Sequence, residues 1–294
     1  MTGRVAAIVV TYEGLPWIEQ CLASLDGVPT VVVDHGSTDG TPTVVRSRFP
    51  AVRVVEQENL GLAAGWNRGL AESSEELVAV LNSDAWLQPG SLAALVACAD
   101  RHPQAGLICP RLLNTDGTLQ PSVRGFPTLW RVATEYLFLR KLSRRSQLWN
   151  GYYAAGFDHA SERAVEWSMG ACFLLRRRSF EAVGPFDERF FLFSEETDWA
   201  WRAREAGWQV VFTPSATAIH VGGASHGGAL FRENVRGQLR FFAKHRGLRS
   251  ARRLRRLLIV SLRLRGLAFR GARGKQYRDV ARWLAVTSID EALG

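Results

Sequence analysis

The 294-residue chain has no apolar run long enough to form a membrane-spanning helix. Such a helix needs about 18 or more consecutive apolar residues, and no window of this sequence approaches that length. The apolar run at residues 5–10 is also too short for the hydrophobic core of a signal peptide. We therefore expect a protein that is made and kept in the cytoplasm.

Cysteine is also scarce and is not arranged in pairs. Four cysteines, Cys21, Cys98, Cys109 and Cys172, lie far apart in apolar surroundings, and no Cys-x-x-Cys pair occurs. This spacing argues against a zinc site or a redox site. We expect four small buried side chains in a reducing compartment. The sequence has no internal repeat and no low-complexity segment, so no flexible linker is predicted.

Acidic residues are few in the last part of the chain. Residues 232–294 contain 17 lysines and arginines but only 4 acidic residues, whereas the rest of the chain contains 20 basic and 24 acidic residues. The net charge of +9 is therefore a property of the tail. The composition, 47% hydrophobic and 22% charged, is typical of a globular protein with one core and an appendage.

Apolar runs alternate with segments of helical spacing through the first hundred residues. The predicted strands are residues 5–12, 30–33, 52–56 and 77–81, and the predicted helices are residues 15–25, 41–49, 65–73 and 91–101. This alternation predicts an α/β fold with a mainly parallel sheet and helices on both faces. Further strands are predicted at residues 106–112, 167–175, 209–212 and 218–220, and helices at 178–183, 195–206 and after 231. Residues 126–165 are irregular and rich in aromatic and basic residues, with two short helices predicted.

Polar side chains follow the predicted strands where ligands bind to parallel sheets, at their carboxyl ends. Asp84 ends one apolar strand, His220 ends a later one, and residues 195–198 form an acidic cluster. A carboxylate and an imidazole can hold a divalent metal on a diphosphate, and a second carboxylate can accept a proton from a hydroxyl. Structural alternatives stay open: a turn aspartate, a satisfied polar histidine, and an acidic first helical turn that complements the helix dipole.

Eight segments, in this order, resemble the family 2 inverting glycosyltransferases, and most closely the bacterial rhamnosyltransferase-like branch. They are VVTYE (9–13), VDHGSTDGT (33–41), NLGLAAGWNRG (59–69), LNSD (81–84), GACFLLRR (170–177), GPFDERFF (184–191), EETD (195–198) and His220. The likeness runs from about residue 5 to residue 247. Three positions depart from the family pattern: Asn82 stands where an aspartate is frequent, Glu196 replaces the usual aspartate, and His35 stands where Asn or Asp is frequent.

The resemblance implies a GT-A-type, Rossmann-like catalytic domain at residues 1–230, followed by a basic helical extension at 231–294. Residues 1–115 would bind the nucleotide and residues 116–230 the acceptor. The implied reaction is a metal-assisted single displacement. It moves a sugar such as rhamnose from a dTDP- or UDP-sugar to a hydroxyl of a saccharide or a polyprenyl-linked saccharide, in the synthesis of a cell wall polysaccharide.

The resemblance also implies a role for each matching residue. Glu196 would be the general base, and Asp84 and His220 would hold Mg²⁺ or Mn²⁺. Residues implied to bind the nucleotide-sugar donor are Thr11, Tyr12, Glu13, Asp34, His35, Asn59, Gly61, Asn67, Asn82 and Ser83. Residues implied to bind the acceptor are Trp167, Gly170, Ala171, Glu195 and Asp198. Trp199 and Trp201 suit either a sugar platform or the core, and His226 suits a solvated or a phosphate-facing position.

The tail contains a basic amphipathic pattern. Leu254, Leu257, Leu258 and Leu262 recur at helical spacing, surrounded by Arg252, Arg253, Arg255, Arg256, Arg263 and Arg265. Such a helix can lie on an anionic membrane, which predicts peripheral association with the inner face of the cell membrane. The alternative is a helix that packs on the core or on a second copy in a homodimer. No nucleic-acid-binding signature occurs.

Two other functions stay open beside the enzyme. The first is a catalytically inactive sugar-binding or scaffold protein on the same fold, which Asn82 and the Glu195–Glu196 pair favour. The second is a basic protein that binds membranes or nucleic acid through the tail alone.

Overall fold

A computed structural model describes residues 3–143, 145–222 and 229–294 of the chain. The chain forms two compact units. The first comprises Met1–Arg124, Asp158–Phe191 and Glu195–Ser225, and the second comprises Gly125–Phe157, Leu192–Ser194 and His226–Gly294. His226 and most of the glycine-rich segment around it lie outside the described residues.

The strands and helices occur in the predicted alternation. The strands are β1 Val5–Thr11, β2 Thr30–Asp34, β3 Arg53–Glu56, β4 Leu77–Asn82, β5 Ala85–Leu87, β6 Ala105–Leu113, β7 Leu119–Gln120, β8 Val123–Arg124, β9 Arg163–Val165, β10 Trp167–Ser168, β11 Cys172–Arg176 and β12 Gln209–His220. The helices are α1 Ile18–Ala23, α2 Thr41–Arg48, α3 Leu62–Ala71, α4 Ser91–Arg101, α5 Leu129–Tyr136, α6 Gln147–Asn150, α7 Arg177–Val183, α8 Glu195–Glu205, α9 Ala229–Ala268, α10 Gly271–Val286 and α11 Ile289–Leu293.

The first unit is built on one large mixed sheet. Its strand order is β3-β2-β1-β4-β11-β6-β12-β5. The first four strands are parallel to one another, whereas β11 runs antiparallel to both β4 and β6 and β12 runs parallel to β6. The predicted α/β fold, mainly parallel with a helical C-terminal extension, is confirmed.

Helices cover both faces of this sheet. Successive residues of a strand point to opposite faces, and here both sets of residues are apolar, so each face is buried under helices. Val9 of β1 belongs to a buried apolar cluster that includes side chains of α1, α2 and α4. The preceding residue, Ile8, packs against Gly69 of α3, where an added Cβ would lie 2.3 Å from the Ile8 side chain. The close approach of α3 to the sheet therefore requires a glycine at this position.

Three of the predicted strands were wrong in detail. The strand predicted at residues 167–175 divides into β10, which pairs with β8 in a separate two-stranded sheet, and β11, which enters the main sheet. The two strands predicted at 209–212 and 218–220 form one strand, β12, with a register shift between Thr213 and Thr217. Pro214 lies in this shift and has no N–H to donate, so the pairing is interrupted without ending the strand.

The second unit is helical, and it buries the apolar side of the basic tail. Helix α9 is interrupted at Gly247 (φ 78°, ψ 160°) and packs against α5, α10 and α11. Leu254, Leu258 and Leu262 are 0% exposed. These leucines therefore belong to the interior of the unit, which corrects the expectation that they face a membrane. Within the described ranges, no helix combines the length and apolarity needed to cross a bilayer.

Candidate active site

The turn between β4 and β5 brings Asp84 to His220. Strand β5 pairs antiparallel with β12 so that Ala85 lies opposite His220. Two backbone N–H groups hold this register: Val221 N donates to the Asp84 carbonyl oxygen at 3.0 Å, and Gly222 N donates to Asp84 Oδ2 at 3.3 Å. As a result, Asp84 Oδ1 lies 3.5 Å from His220 Nε2. The predicted pair is brought together.

Gln120 of β7 fixes the orientation of the His220 ring. The Gln120 amide nitrogen donates to His220 O at 3.2 Å and to Asn114 Oδ1 at 2.9 Å, so its oxygen is the acceptor that faces His220 Nδ1 at 2.7 Å. Nδ1 therefore carries the proton, and the Nε2 lone pair faces Asp84. Sequence reasoning missed Gln120, because a glutamine in a two-residue strand carries no recognisable signal.

Two electron-pair donors that face each other at this distance need a cation or a proton between them. A carboxylate oxygen and an imidazole nitrogen are a donor set that suits Mn²⁺ or Mg²⁺. An outer hydrogen bond of the kind that Gln120 makes is the usual support for a metal-binding histidine. The residues present therefore fit a divalent cation.

Three buried oxygens lie at the carboxyl ends of neighbouring strands. Thr11 Oγ1, Asp34 Oδ2 and Asn82 Oδ1 have no hydrogen-bond partner among the described residues. They end β1, β2 and β4, which are adjacent in the sheet. Buried polar atoms nearly always have a partner, so this edge of the sheet has acceptors that a ligand rich in N–H and O–H groups would satisfy. Ser83 is also buried here, next to Gly14.

Tyr12 and Glu13 continue β1 into this edge. The Tyr12 side chain is 49% exposed, so its ring is open to a ligand. Glu13 Oε1 accepts hydrogen bonds from Thr38 N at 2.9 Å and from Thr38 Oγ1 at 3.0 Å, and Glu13 N donates to Ser37 Oγ at 2.8 Å. Glu13 therefore ties the first strand end to the loop after β2.

His35 lies under helix α3, where protein groups contact both of its ring nitrogens. Nδ1 lies 3.2 Å from Asn59 Oδ1, and Nε2 lies 3.2 Å from the Gln57 amide nitrogen. Burial lowers the pKa of His35, so the ring is favoured in its neutral form. A Cβ added at Gly65 would lie 2.6 Å from His35 Nε2. These contacts make His35 a support for the loop before α3, and its predicted contact with the nucleotide-sugar donor stays a prediction.

Gly61 joins the start of α3 to the segment that precedes α8. It has φ 95°, and an added Cβ would lie 2.3 Å from Phe191 O. Leu62 N donates to that same oxygen at 2.8 Å, and Asn59 Oδ1 accepts from Gly61 N at 3.2 Å. Only glycine suits both the backbone angle and the close approach.

Asn67 is directed to the loop before α8 rather than to the strand ends. Its amide nitrogen donates to Phe186 O at 2.9 Å and to Glu188 Oε1 at 2.8 Å, and its oxygen accepts from Phe186 N at 3.0 Å. The amide is thus committed to holding residues 186–188. The predicted contact of Asn67 with the donor stays a prediction.

The acidic cluster lies in the first turn of α8, and its members have different surroundings. Glu195 is buried, and burial together with the nearby Glu196 raises the pKa of Glu195 well above its ordinary value. Glu196 is partly exposed. Asp198 is completely buried and accepts from Arg202 Nε at 2.9 Å, which is a structural contact; its predicted acceptor contact stays a prediction. Glu196 is the member best placed to meet a ligand.

Gly170 separates Trp66 from Glu196. A Cβ added at Gly170 would lie 2.6 Å from the Trp66 ring and 3.6 Å from Glu196 Cβ. The neighbouring Ala171 and Trp167 are buried. Trp199 is fully buried and donates to Gly184 O at 3.0 Å, and Trp201 packs under Arg204 at 4.2 Å. Both tryptophans of α8 therefore serve packing.

The cysteines are buried, as expected, and the described residues bring together one further group of metal-ligating types. Cys98, His102 and Glu162 place ligand atoms within 4.8 Å of one another. Arg101 already donates to Glu162 at 2.8 Å and lowers the pKa of Glu162 to about 2, whereas burial raises the pKa of Cys98 to about 12. Because the Cys98 thiol stays protonated and the Glu162 carboxylate is ion-paired, we interpret this cluster as structural.

The mixed sheet thus brings buried acceptors and the Asp84–His220 pair to the ends of its strands. Residues 6–184 match the model of Glycosyl transferase family 2. This match covers more than half of the chain, and the chain therefore belongs to that family. The family and the GT-A fold that the sequence predicted are confirmed.

Sequence relatives indicate which type of glycosyltransferase this chain is. The N-acetylglucosaminyl-diphospho-decaprenol L-rhamnosyltransferase of Mycobacterium tuberculosis (strain H37Rv) is 36% identical over 237 residues, which cover 75% of this chain and 76% of that protein. The O-antigen biosynthesis protein RfbC of Myxococcus xanthus is 30% identical over 173 residues, 54% of this chain and 12% of that protein. The chain is thus a glycosyltransferase of the rhamnosyltransferase type.

A solved structure shows the same fold at low sequence identity. The mannosyltransferase PcManGT of Pyrobaculum calidifontis, in complex with GDP-Man and Mn²⁺, superposes with a TM-score of 0.57 and 18% identity, covering 99% of this chain and 85% of that one. S. aureus TarS 1–349 in complex with UDP gives a TM-score of 0.53 and 16% identity, covering 90% and 72%.

Proposed function

We propose that this protein is an inverting glycosyltransferase that moves a rhamnosyl or related hexosyl group from a dTDP- or UDP-sugar to a hydroxyl of a lipid-linked saccharide. The observation that carries the proposal is the Asp84–His220 pair, whose donor atoms face each other at 3.5 Å. It lies at the strand ends, where Asp34 and Asn82 keep buried acceptors. The name of the M. tuberculosis relative supplies the acceptor class.

The donor would occupy the carboxyl ends of β1, β2 and β4. Asp34 Oδ2 would accept the imide N–H of uracil or thymine, and the exposed Tyr12 ring would stack on the base. Thr11 Oγ1 and Asn82 Oδ1 would accept ribose hydroxyls. Glu13, Asn59, Gly61 and Ser83 would shape the walls of this pocket. Donor hydrogen bonds of this kind would satisfy the acceptors that the protein leaves buried.

Asp84 and His220 would hold Mg²⁺ or Mn²⁺ beside the diphosphate. When bound, such an ion acts as a Lewis acid that offsets the charge of the leaving nucleoside diphosphate. Gln120 keeps the His220 ring in the tautomer that presents Nε2. PcManGT was solved with Mn²⁺ and a sugar nucleotide, which supports this assignment by analogy of fold.

Glu196 would act as the general base. It would take the proton of the acceptor hydroxyl while that oxygen forms a bond to the anomeric carbon. The bond between the anomeric carbon and the diphosphate oxygen breaks on the opposite side, so the anomeric centre inverts in one step. Trp167, Gly170 and Ala171 would line the acceptor side, where the absence of a side chain at Gly170 leaves room beside Glu196. Glu195 would support the Glu196 position from its buried site.

The enzyme would associate with the inner face of the cell membrane, where a polyprenyl-linked acceptor resides. The solvent-facing side of α9 after Gly247 carries exposed arginines at 252, 253, 256 and 263. Val260, Leu264 and Leu267 are 56%, 53% and 82% exposed on the same side. This basic surface with apolar tips, and not the buried leucines, would meet anionic lipid.

The test is transfer by the purified protein, with dTDP-rhamnose, UDP-sugars and GDP-mannose as donors and a short-chain N-acetylglucosaminyl-diphospho-lipid as acceptor. Donor-dependent product with inverted anomeric configuration supports the proposal. Binding of a nucleotide without transfer or donor hydrolysis would favour the inactive scaffold, the alternative that Asn82 suggests. Glu181→Gln, an exposed change on α7, provides a control for Glu196→Gln.

A further inference from the structure

The second unit contains its own cavity, whose lining residues all belong to that unit. Its volume is about 500 Å³, within the range of small-molecule sites. Aromatic rings and carboxamides dominate the lining, among them Tyr152, Phe193, Phe231, Asn234 and Gln238. Such a mixture of flat apolar faces and placed polar groups is the usual lining of a site for a polar, uncharged ligand.

One lining group is a buried carboxamide with an unused acceptor. Gln238 is 8% exposed. Its amide nitrogen donates to Asn234 Oδ1 at 2.7 Å and to Tyr136 O–H at 3.2 Å. Its oxygen Oε1 is buried and has no hydrogen-bond partner among the described residues. Leaving such an oxygen unpaired is unfavourable, and a ligand hydroxyl or N–H would satisfy it.

The charged groups of the lining are already committed. Arg265 donates to Tyr136 O at 2.7 Å and to Glu135 O at 2.6 Å, and its guanidinium lies 4.2 Å from the Phe138 ring centre. Glu135 faces Arg140 at 2.7 Å. A phosphate or diphosphate would have to displace these contacts, and a polyprenyl chain would not use the amides. The lining therefore favours a neutral ligand with hydroxyl or amide groups.

We propose that this cavity binds the neutral sugar of the lipid-linked acceptor. This inference rests on the proposed transferase function for its ligand, an N-acetylated hexose or a related saccharide. Aromatic faces of Tyr152 and Phe231 contact the apolar face of the sugar ring, and Gln238 Oε1 accepts one of its hydroxyl or amide protons. Phe193, which lines the cavity, precedes the proposed base Glu196 by only three residues in the sequence.

The experiment measures saccharide binding directly on the full-length protein. Saturation-transfer NMR is recorded with the methyl glycosides of N-acetylglucosamine, glucose and galactose, and with octyl phosphate as a charged, aliphatic comparison. Gln238→Met keeps the side-chain length and removes the amide. The matched control is Gln209→Met, an exposed glutamine at the start of β12. Phe231→Leu is a second variant, which removes a ring face without touching Gln238.

We expect glycoside affinity to fall about five- to tenfold in Gln238→Met, the size of one hydrogen bond, and to fall in Phe231→Leu. The control should bind like the wild type. In transfer assays, Gln238→Met should raise the acceptor KM and leave the donor KM unchanged. Unchanged glycoside binding in both cavity variants, at wild-type melting temperature, would overturn the inference, as would binding of octyl phosphate in preference to the glycosides.

The two proposals can fail separately. Glycoside binding that depends on Gln238, in a protein that transfers no sugar from any donor, would support the cavity assignment and contradict the proposed function. Transfer with an acceptor KM that Gln238→Met leaves at the wild-type value would keep the function and remove the cavity assignment.

Discussion

Asp84 Oδ1 lies 3.5 Å from Nε2 of His220, and a hydrogen bond from His220 Nδ1 to Gln120 holds the Nε2 lone pair toward the carboxylate. The two residues come from distant parts of the chain and meet because β5 and β12 pair antiparallel. An arrangement with two electron-pair donors in contact is stable when a cation lies between them. The pairing of β5 with β12 therefore brings together a donor set that fits a divalent cation.

Replacing Asp84 with Asn should abolish the metal-dependent part of nucleotide binding. A neutral amide retains the shape of the side chain but lacks the charge that draws a hard divalent cation. The measurement is the melting temperature with dTDP or UDP, with and without Mn²⁺, because a ligand that binds only the native state raises it. Asp26→Asn, an exposed change after α1, is the control. A metal-dependent shift that survives in Asp84→Asn would place the metal site elsewhere.

Replacing Gln120 with Met should weaken metal binding while leaving nucleotide binding without metal unchanged. The variant removes the acceptor of the His220 Nδ1 proton, so the ring is free to rotate or change tautomer. Outer hydrogen bonds of this type typically account for about 10- to 100-fold in metal affinity. Titration with Mn²⁺ by paramagnetic resonance measures this loss. Gln120→Glu should retain affinity, since a carboxylate also accepts from Nδ1; equal losses in both variants would contradict an orienting role.

The sequence predicted the sheet because strands and helices follow local patterns, and the resemblance to glycosyltransferases supplied the pairing of Asp84 with His220, two residues that are distant in the chain. Apolar runs end where polar residues begin, and parallel strands place those ends at one edge of the sheet. Gln120, Asn67 and His35 could not be placed in the same way. Their roles depend on which loop packs against which strand end, and no spacing in the sequence records that contact.

The basic tail shows a second feature that the sequence pattern did not predict, namely what its apolar face packs against. Helical spacing correctly predicted that Leu254, Leu258 and Leu262 share a face, but it does not say what covers that face. The irregular residues 126–165 gave no chemical pattern, yet α5 at Leu129–Tyr136 packs on α9 and shares in burying the tail. Such a contact between distant segments depends on tertiary packing, and the periodicity of one helix does not predict which segment will pack against it.

Replacing Glu196 with Gln should lower kcat by about 10²- to 10⁴-fold, the range expected for loss of a general base. The donor KM and the melting temperature should stay near wild type, because Glu196 is partly exposed and its amide keeps the shape of the side chain. Steady-state kinetics with saturating donor measure the effect. If Glu196→Gln transferred sugar at the wild-type rate, another group would have to accept the proton.

Changing Arg252, Arg253 and Arg256 together to Gln should reduce binding to vesicles that contain phosphatidylglycerol. Each basic residue near an anionic surface contributes about 1 kcal/mol, so three changes predict a loss of roughly 100-fold. Vesicle sedimentation measures it. The control changes Arg48, Arg53 and Arg68, three exposed arginines of the first unit, by the same charge. Equal losses in both triple variants would show a general charge effect and no specific surface.

Replacing Glu195 with Gln should stabilise the protein, and the gain should depend on pH. Burial and the neighbouring Glu196 raise the pKa of Glu195 in the folded state, whereas in the unfolded chain it titrates near its ordinary value of about 4.3. Between these two pKa values the native state holds a proton that the unfolded state has released, so stability falls as pH rises through this window. Above the folded pKa the cost of burying the charge remains constant.

The neutral amide in Glu195→Gln avoids this cost. Its melting temperature should therefore equal that of the wild type at pH 4 and exceed it at pH 8, whereas Glu181→Gln on the exposed side of α7 should show no such gain. Thermal unfolding across this pH range provides the measurement. A gain in stability at pH 8 together with lost transfer would mean that the buried carboxylate is needed for function and lowers stability. Such a trade-off between stability and activity is common at active sites. A variant without a pH-dependent gain would show that Glu195 carries no such burden.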